Sequence, residues 1–303
     1  MNKAITLFLL FVVGSSFAQD VVFSQKRGNL VYFNPALVGT ESYQAISINY
    51  QNQWPNDNWE YITSSLNANY NLKNNWGFGL SLMNDKGLIR AKRSLRINTN
   101  YQKNINELTL KCGLNVAILQ NKLDFSRANF LDPGDPILDN ETKSTIGLGL
   151  DLGGALYFKG IFINAAIFQL NSPQLVYGNL GDKIHRRFNA GVGYSKNLSE
   201  LNISGMVNYS AQGNLKVIQG QIASTYKFLH AGFGLNNGLE KESWYSAMAG
   251  VQFPYFAVSY STLFDLKPSQ RTVAENTHQI TASWYIKALK KDDKLSEFIQ
   301  IIF

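Results

Sequence analysis

Along most of this chain apolar and polar residues alternate one by one. That period of two restricts it to strands whose two faces meet different surroundings. Ile46, Ile48 and Tyr50 interleave with Ser47, Asn49 and Gln51, and Leu110, Cys112, Leu114 and Val116 with Lys111, Gly113 and Asn115. Fourteen such strands are expected, at 43–53, 59–70, 76–83, 94–103, 108–119, 145–157, 161–170, 185–195, 201–210, 215–226, 229–236, 243–252, 255–263 and 276–286. Nearly all carry a polar face, which leaves no shared dry core for a soluble sandwich. An all-β, up-and-down antiparallel barrel with lipid outside and a polar interior suits the pattern.

The spacing of the strands points the same way. Every second gap is short, at 71–75, 104–107, 158–160, 196–200, 227–228 and 253–254, while the long gaps 84–93, 120–144, 171–184 and 264–275 all share the other parity. Alternate turns of an up-and-down barrel lie at one rim, and outer-membrane barrels have short periplasmic turns and longer outer loops. The expected location is therefore the outer membrane, in contact with its lipid.

The ends are set apart from the barrel. Lys3, the apolar run 4–13 and Ser16-Phe17-Ala18 have the form of a secretory signal peptide over 1–18, cleaved before Gln19. Residues 19–40 are expected to be a plug-like segment, 41–287 the barrel and 288–303 a polar and then apolar periplasmic tail. The 285 residues left after removal of 18 from 303 allow about twenty per strand and connection. Aromatic residues near strand ends, among them Trp54, Trp76, Tyr101, Tyr194, Tyr226, Trp244 and Tyr285, suit interfacial girdles as well as plain strand propensity.

Signals for chemistry are sparse. With 28 basic and 21 acidic residues the formal charge is +7, but the basic residues are scattered, with no aromatic-interleaved patch for nucleic acid. His185, His230 and His278 lie on separate strands, without metal-ligand spacing to one another or to the single Cys112. His278 and Ser283 are five residues apart and fall on opposite faces of one strand, so they do not form a catalytic pair. Asp132-Pro133-Gly134-Asp135-Pro136 reads either as a turn cluster or as carboxylates around calcium. No catalytic residue, metal or cofactor is expected.

Glycines recur at period two: Gly77 and Gly79, Gly147 and Gly149, Gly191 and Gly193. On inward rows they serve either wall curvature or close approach of a packed segment. The segment at hand is 19–40, too rich in Val, Leu, Tyr and Phe for a free tail. It is expected to fold into or across the periplasmic mouth. An arginine placed at lumen-facing Asn115 is expected to be tolerated better than one at lipid-facing Leu114 or Leu150.

The same segment carries a resemblance. Phe23-Ser24-Gln25, then Asn34-Pro35-Ala36 and Gly39, followed by Gln53-Trp54-Pro55 after the first strand and Asn84-Asp85-Lys86-Gly87 after the third, resemble the PorP/SprF family of type IX secretion outer-membrane proteins. The resemblance implies a noncatalytic barrel that takes part in protein secretion, or that holds secreted adhesins at the surface as in gliding motility. Its expected partners are a cargo protein and secretion-system components, with those motif residues as contacts. A transporter or channel for small or apolar solutes is the alternative that a polar lumen alone allows.

Overall fold

Fourteen strands close into one ring, in which every strand has a paired neighbour on each side. The structure, a computed structural model, describes residues 20–39, 44–55, 60–72, 74–124, 142–177, 180–238, 243–265 and 276–286. The strands are β1 Ala45–Gln53, β2 Tyr61–Asn71, β3 Trp76–Lys86, β4 Arg90–Ile105, β5 Leu108–Asp124, β6 Thr142–Phe158 and β7 Ile161–Phe168. Next comes a separate hairpin, β8 Gln174–Tyr177 and β9 Leu180–Lys183. The ring resumes with β10 Arg187–Leu198, β11 Leu201–Gln212, β12 Leu215–Tyr226, β13 Leu229–Gly238, β14 Ser243–Gln252, β15 Phe256–Asp265 and β16 Thr277–Tyr285. Every neighbouring pair is antiparallel, and β1 seals against β16 with Ala45 opposite Tyr285.

The alternation becomes an inside-out distribution of polarity. Ile48, Leu66, Ile97, Leu150 and Ile222 stand exposed on the outer wall, whereas Asn49, Asn67, Asn98, Asn115 and Asp151 are fully buried inside. Cys112 lies on the outer face. Two aromatic residues depart from the expected girdles. Tyr285 is buried on the inner wall, and Trp244 pairs with inward Asn236 while its neighbour Tyr245 faces out. Strand-end position alone does not tell which face a ring takes.

Tight connections at 106–107, 159–160, 199–200 and 227–228 share one rim. Positive φ at Asn106, Lys159, Ser199 and Lys227 matches hairpin turns whose twist follows that of the strands. β1 begins and β16 ends at this same rim, where the Ile286 amide donates to the Gln44 carbonyl at 2.8 Å. The opposite rim carries the long connections, but the expected 84–93 gap shrinks to 87–89 and the 211–214 gap to a turn at 213–214.

The reason is that the wall is tall on one side. β4, β5 and β6 run for 16, 17 and 17 residues, but β7 for only 8. At about 3.3 Å per residue, β6 exceeds what an apolar band of about 25 Å requires even when tilted. The outward residues of the excess are polar: Arg93 Nε donates to Asn84 Oδ1 at 3.1 Å and Gln120 Nε2 to Ser144 Oγ at 3.0 Å. Charged residues in this stretch resemble a loop in sequence, yet they are strand outside the lipid.

β6 pairs with β7 only over Leu152–Phe158. Above that level Asn171 clamps its edge, donating from Nδ2 to the Leu148 carbonyl at 2.7 Å and accepting from the Leu150 amide at 3.0 Å. The β8–β9 hairpin follows directly, within what the alternation suggested was a plain loop. Residues 1–18, 132–136 and 288–303 lie outside the described residues.

Candidate functional site

The lumen contains a segment of the chain itself. Residues 20–39 run through it from the long-loop rim, where Asp20 meets Arg187 at the start of β10, to the short-turn rim, where Gly39 lies against Gly77 and Tyr70. The segment is built of a 3-10 turn at Arg27–Asn29, one α-turn at Leu30–Phe33 and a second 3-10 turn at Pro35–Leu37. Pro35 fixes its own φ and forces Asn34 into extended backbone (φ −159°, ψ 121°). The Asn34 side chain accepts from the Ala36 amide at 2.9 Å and caps the turn.

From Asn34 onward, fit is set by shape. Asn34 Nδ2 donates to the carbonyls of Gly154 and Ala165 at 3.1 and 3.2 Å. A Cβ on Gly153 would strike Asn34, one on Gly113 the Pro35 carbonyl, and one on Gly79 the side chain of Val38. These glycines with Gly77 flatten the wall where Asn34–Gly39 lies. The other inward glycines have different neighbours: Gly147 faces Leu175 and Pro173 beside the hairpin, Gly149 faces Leu119 and Ala117, and Gly191 faces Asn164 and Asn208. Gly193 is buried in the same row as Gly191.

Before Asn34, the wall holds the segment by both main chain and side chains. Gln221, Gln279 and Asn49 donate to the carbonyls of Ser24, Gln25 and Gly28 at 3.0, 3.3 and 3.1 Å. Asn115, Arg187 and Asn189 donate to those of Val31, Tyr32 and Phe33 at 3.2, 2.7 and 3.0 Å. Gln51 reaches the Val22 carbonyl at 3.4 Å. Lower down, Asn98, Lys111 and Asn71 serve Pro35, Val38 and Gly39 at 3.0, 3.1 and 3.2 Å. Ten carbonyls are thus taken by wall side chains among the described residues. A buried carbonyl without a donor costs free energy, so this lining is what makes an irregular segment stable there.

Side-chain contacts add anchors. Ser24 Oγ is 2.6 Å from Ser261 Oγ and donates to Gln279 Oε1 at 2.8 Å, and Gln25 accepts from Ser259. Arg27 donates to Gln252 Oε1 and the Tyr285 hydroxyl at 2.6 and 2.8 Å. Arg187 lies 4.0 Å from the Tyr32 ring centre and 4.1 Å from that of Phe168, and Phe23 meets Tyr32 edge-on at 5.3 Å. Burial lowers the Lys26 ammonium to about 7; its Nζ donates to Gln221 Oε1 at 2.9 Å. Burial alone would raise the Asp20 carboxyl, but the charges of Arg187, Lys92 and Arg96 and a Gln212 hydrogen bond bring it below its ordinary value.

Between this segment and β10–β12 lies a cavity of about 50 Å³, bordered by Asp20, Phe23, Lys26, Tyr32, Arg187 and Gln212. It has room for roughly three to five waters at about 10–15 Å³ each. No cluster of three or more His, Cys, Asp or Glu suited to a metal exists among the described residues.

The candidates from the sequence therefore separate. Phe23, Ser24, Gln25, Asn34, Pro35, Ala36 and Gly39 meet in the lumen, while Gln53, Trp54 and Pro55 sit at the long-loop rim, where Trp54 packs edge-on against Tyr61. Asn115 is not in open water but beneath Val31, fully buried and 3.3 Å from Asp151. The expected tolerance of arginine there does not hold, because the space is taken. The inward Asn and Gln donors were legible only as a polar face. Their signal was amides at every second position, such as Asn67 with Asn69 and Asn98 with Asn100.

The family model for the type IX secretion system membrane protein PorP/SprF matches residues 15–284, nearly the whole chain and both the luminal segment and the ring. The chain belongs to the PorP/SprF family. No curated protein matches this PorP/SprF member. Among solved structures it is similar to the toluene transporter TbuX of Ralstonia pickettii, with a TM-score of 0.53, 11% identity and coverage of 85% of this chain and 92% of that one. The P. putida toluene transporter TodX gives 0.52 and 10%, covering 82% and 91%. A Pseudomonas aeruginosa FadL homologue gives 0.50 and 10%, covering 90% and 95%. At such identity the likeness is one of fold, and it places this PorP/SprF chain among outer-membrane barrels.

Proposed function

We propose that this outer-membrane barrel is a noncatalytic component of type IX protein secretion that engages an exported polypeptide, either during export or as its anchor at the cell surface. Family membership supports the association with that secretion system. The structure adds an occupied lumen: ten main-chain carbonyls of 20–39 are held by wall side chains, and a cavity of about 50 Å³ lies alongside. Transporter barrels can also hold a plug in the lumen, so family membership is what favours protein secretion over solute transport. In this reading Gln53, Trp54 and Pro55 at the long-loop rim contact the client protein.

The test is purification of the tagged chain from native outer membranes after brief crosslinking, with identification of what accompanies it. Secretion-system components or a secreted surface protein are the expected companions, enriched at least tenfold over an unrelated barrel. Recovery of the barrel alone, together with uptake of toluene or another small solute by reconstituted vesicles, would replace this reading with solute transport.

A further inference from the structure

Both halves of the luminal segment are held at main-chain carbonyls, three in Asn34–Gly39 and seven in 20–33, and they differ in how the wall glycines fit them. Asn34–Gly39 is locked by shape, with Gly77, Gly79, Gly113 and Gly153 shaped to it. Residues 20–33 are held at seven carbonyls, those of Val22, Ser24, Gln25, Gly28, Val31, Tyr32 and Phe33. A carbonyl is common to every residue, so these donors recognise extended or irregular main chain, while the side chains of Ser24, Gln25, Lys26, Arg27 and Asn29 make further bonds of their own. The principle is the one by which strand-addition sites take affinity from backbone hydrogen bonds and selectivity from a few pockets.

We infer that the outer half of the lumen is a binding groove for the main chain of an extended polypeptide, and that residues 20–33 occupy it as a built-in stand-in. The client is an extended segment of a second protein that enters from the long-loop side. An acidic residue takes the place of Asp20 on Arg187, and an aromatic residue takes the place of Tyr32 against Arg187 and Phe168. The groove has capacity that its present occupant leaves unused. Among the described residues, Asn208 Oδ1 on the wall has no hydrogen-bond partner; the residue is 1% exposed and borders the cavity beside the segment. The shape-locked half keeps the displaced segment attached, so displacement is reversible.

The identity of the client as an exported protein rests on the proposed function, whereas recognition of main chain does not. On the full chain in detergent, hydrogen exchange of amides in 20–33 is expected to be at least tenfold faster than in 35–39. Equal protection of the two halves would overturn the exchange. In a chain lacking 20–33, a fluorescein-labelled peptide of that sequence and a scrambled peptide of the same composition are expected to bind within tenfold of each other. A greater loss on scrambling, or no binding by either, would overturn main-chain recognition. If that variant does not fold, the exchange measurement on the full chain decides. A barrel that binds both peptides but brings down no secretion protein keeps the groove and loses the proposed client.

Discussion

Single atoms decide whether the luminal segment seats. Gly113 lies where an added Cβ would meet the Pro35 carbonyl, a rigid backbone atom that cannot swing aside. Gly113→Val is expected to weaken seating by about 1–3 kcal/mol, the usual cost of overpacking, whereas Gly220→Ala, with nothing within 4 Å, is expected to be silent. Trypsin reads the difference, because Lys26 and Arg27 are buried in the native chain and become cleavable when the segment lifts. Lys26 also makes seating depend on pH. Its folded value of about 7 against an ordinary 10.5 means that the seated segment binds fewer protons than the released one between those values. Seating therefore strengthens as pH rises from about 7 toward 10.5 and is weakest below 7. A nitroxide at Val22→Cys in a Cys112→Ser background is expected to show a larger immobilised fraction at pH 9 than at pH 6, and Lys26→Met to remove the difference.

At the scale of elements, the strands were legible because lipid and lumen impose opposite demands on alternate residues, and fourteen expected stretches correspond to fourteen ring strands. Strand ends were less legible where that contrast stops. β4 begins at Arg90 rather than 94 and β5 continues to Asp124 rather than 119, since beyond the lipid both faces tolerate polar residues. The β8–β9 hairpin has only four residues per strand, too few to register as a period. In the luminal segment only composition marked a packed role, because its order comes from wall donors on distant strands. The β6 edge offers an element-level test. Asn171→Ala removes two hydrogen bonds worth about 0.5–1.5 kcal/mol each. Proteolysis within 169–186 is expected to speed up severalfold while the heat-modifiable barrel band is unchanged. Leu150→Arg, on the lipid-facing wall, is expected to lower folding into bilayers by about 2–4 kcal/mol.

The whole molecule is a ring sealed by its first and last strands, with residues 20–39 inside it. β1 starts at the short-turn rim, yet Asp20 sits beside Arg187 near the opposite one. The leading end must therefore be laid within the curling sheet before the seam zips, or slip up the finished bore afterwards. A folded domain of about 100 residues fused before Asp20 is expected to jam this assembly, giving a barrel band with Lys26 and Arg27 open to trypsin. The same domain fused after Phe303 is expected to leave them protected. Assembly of this barrel is thus a threading problem in which whatever precedes Asp20 must be slender enough to pass through the eye of a needle.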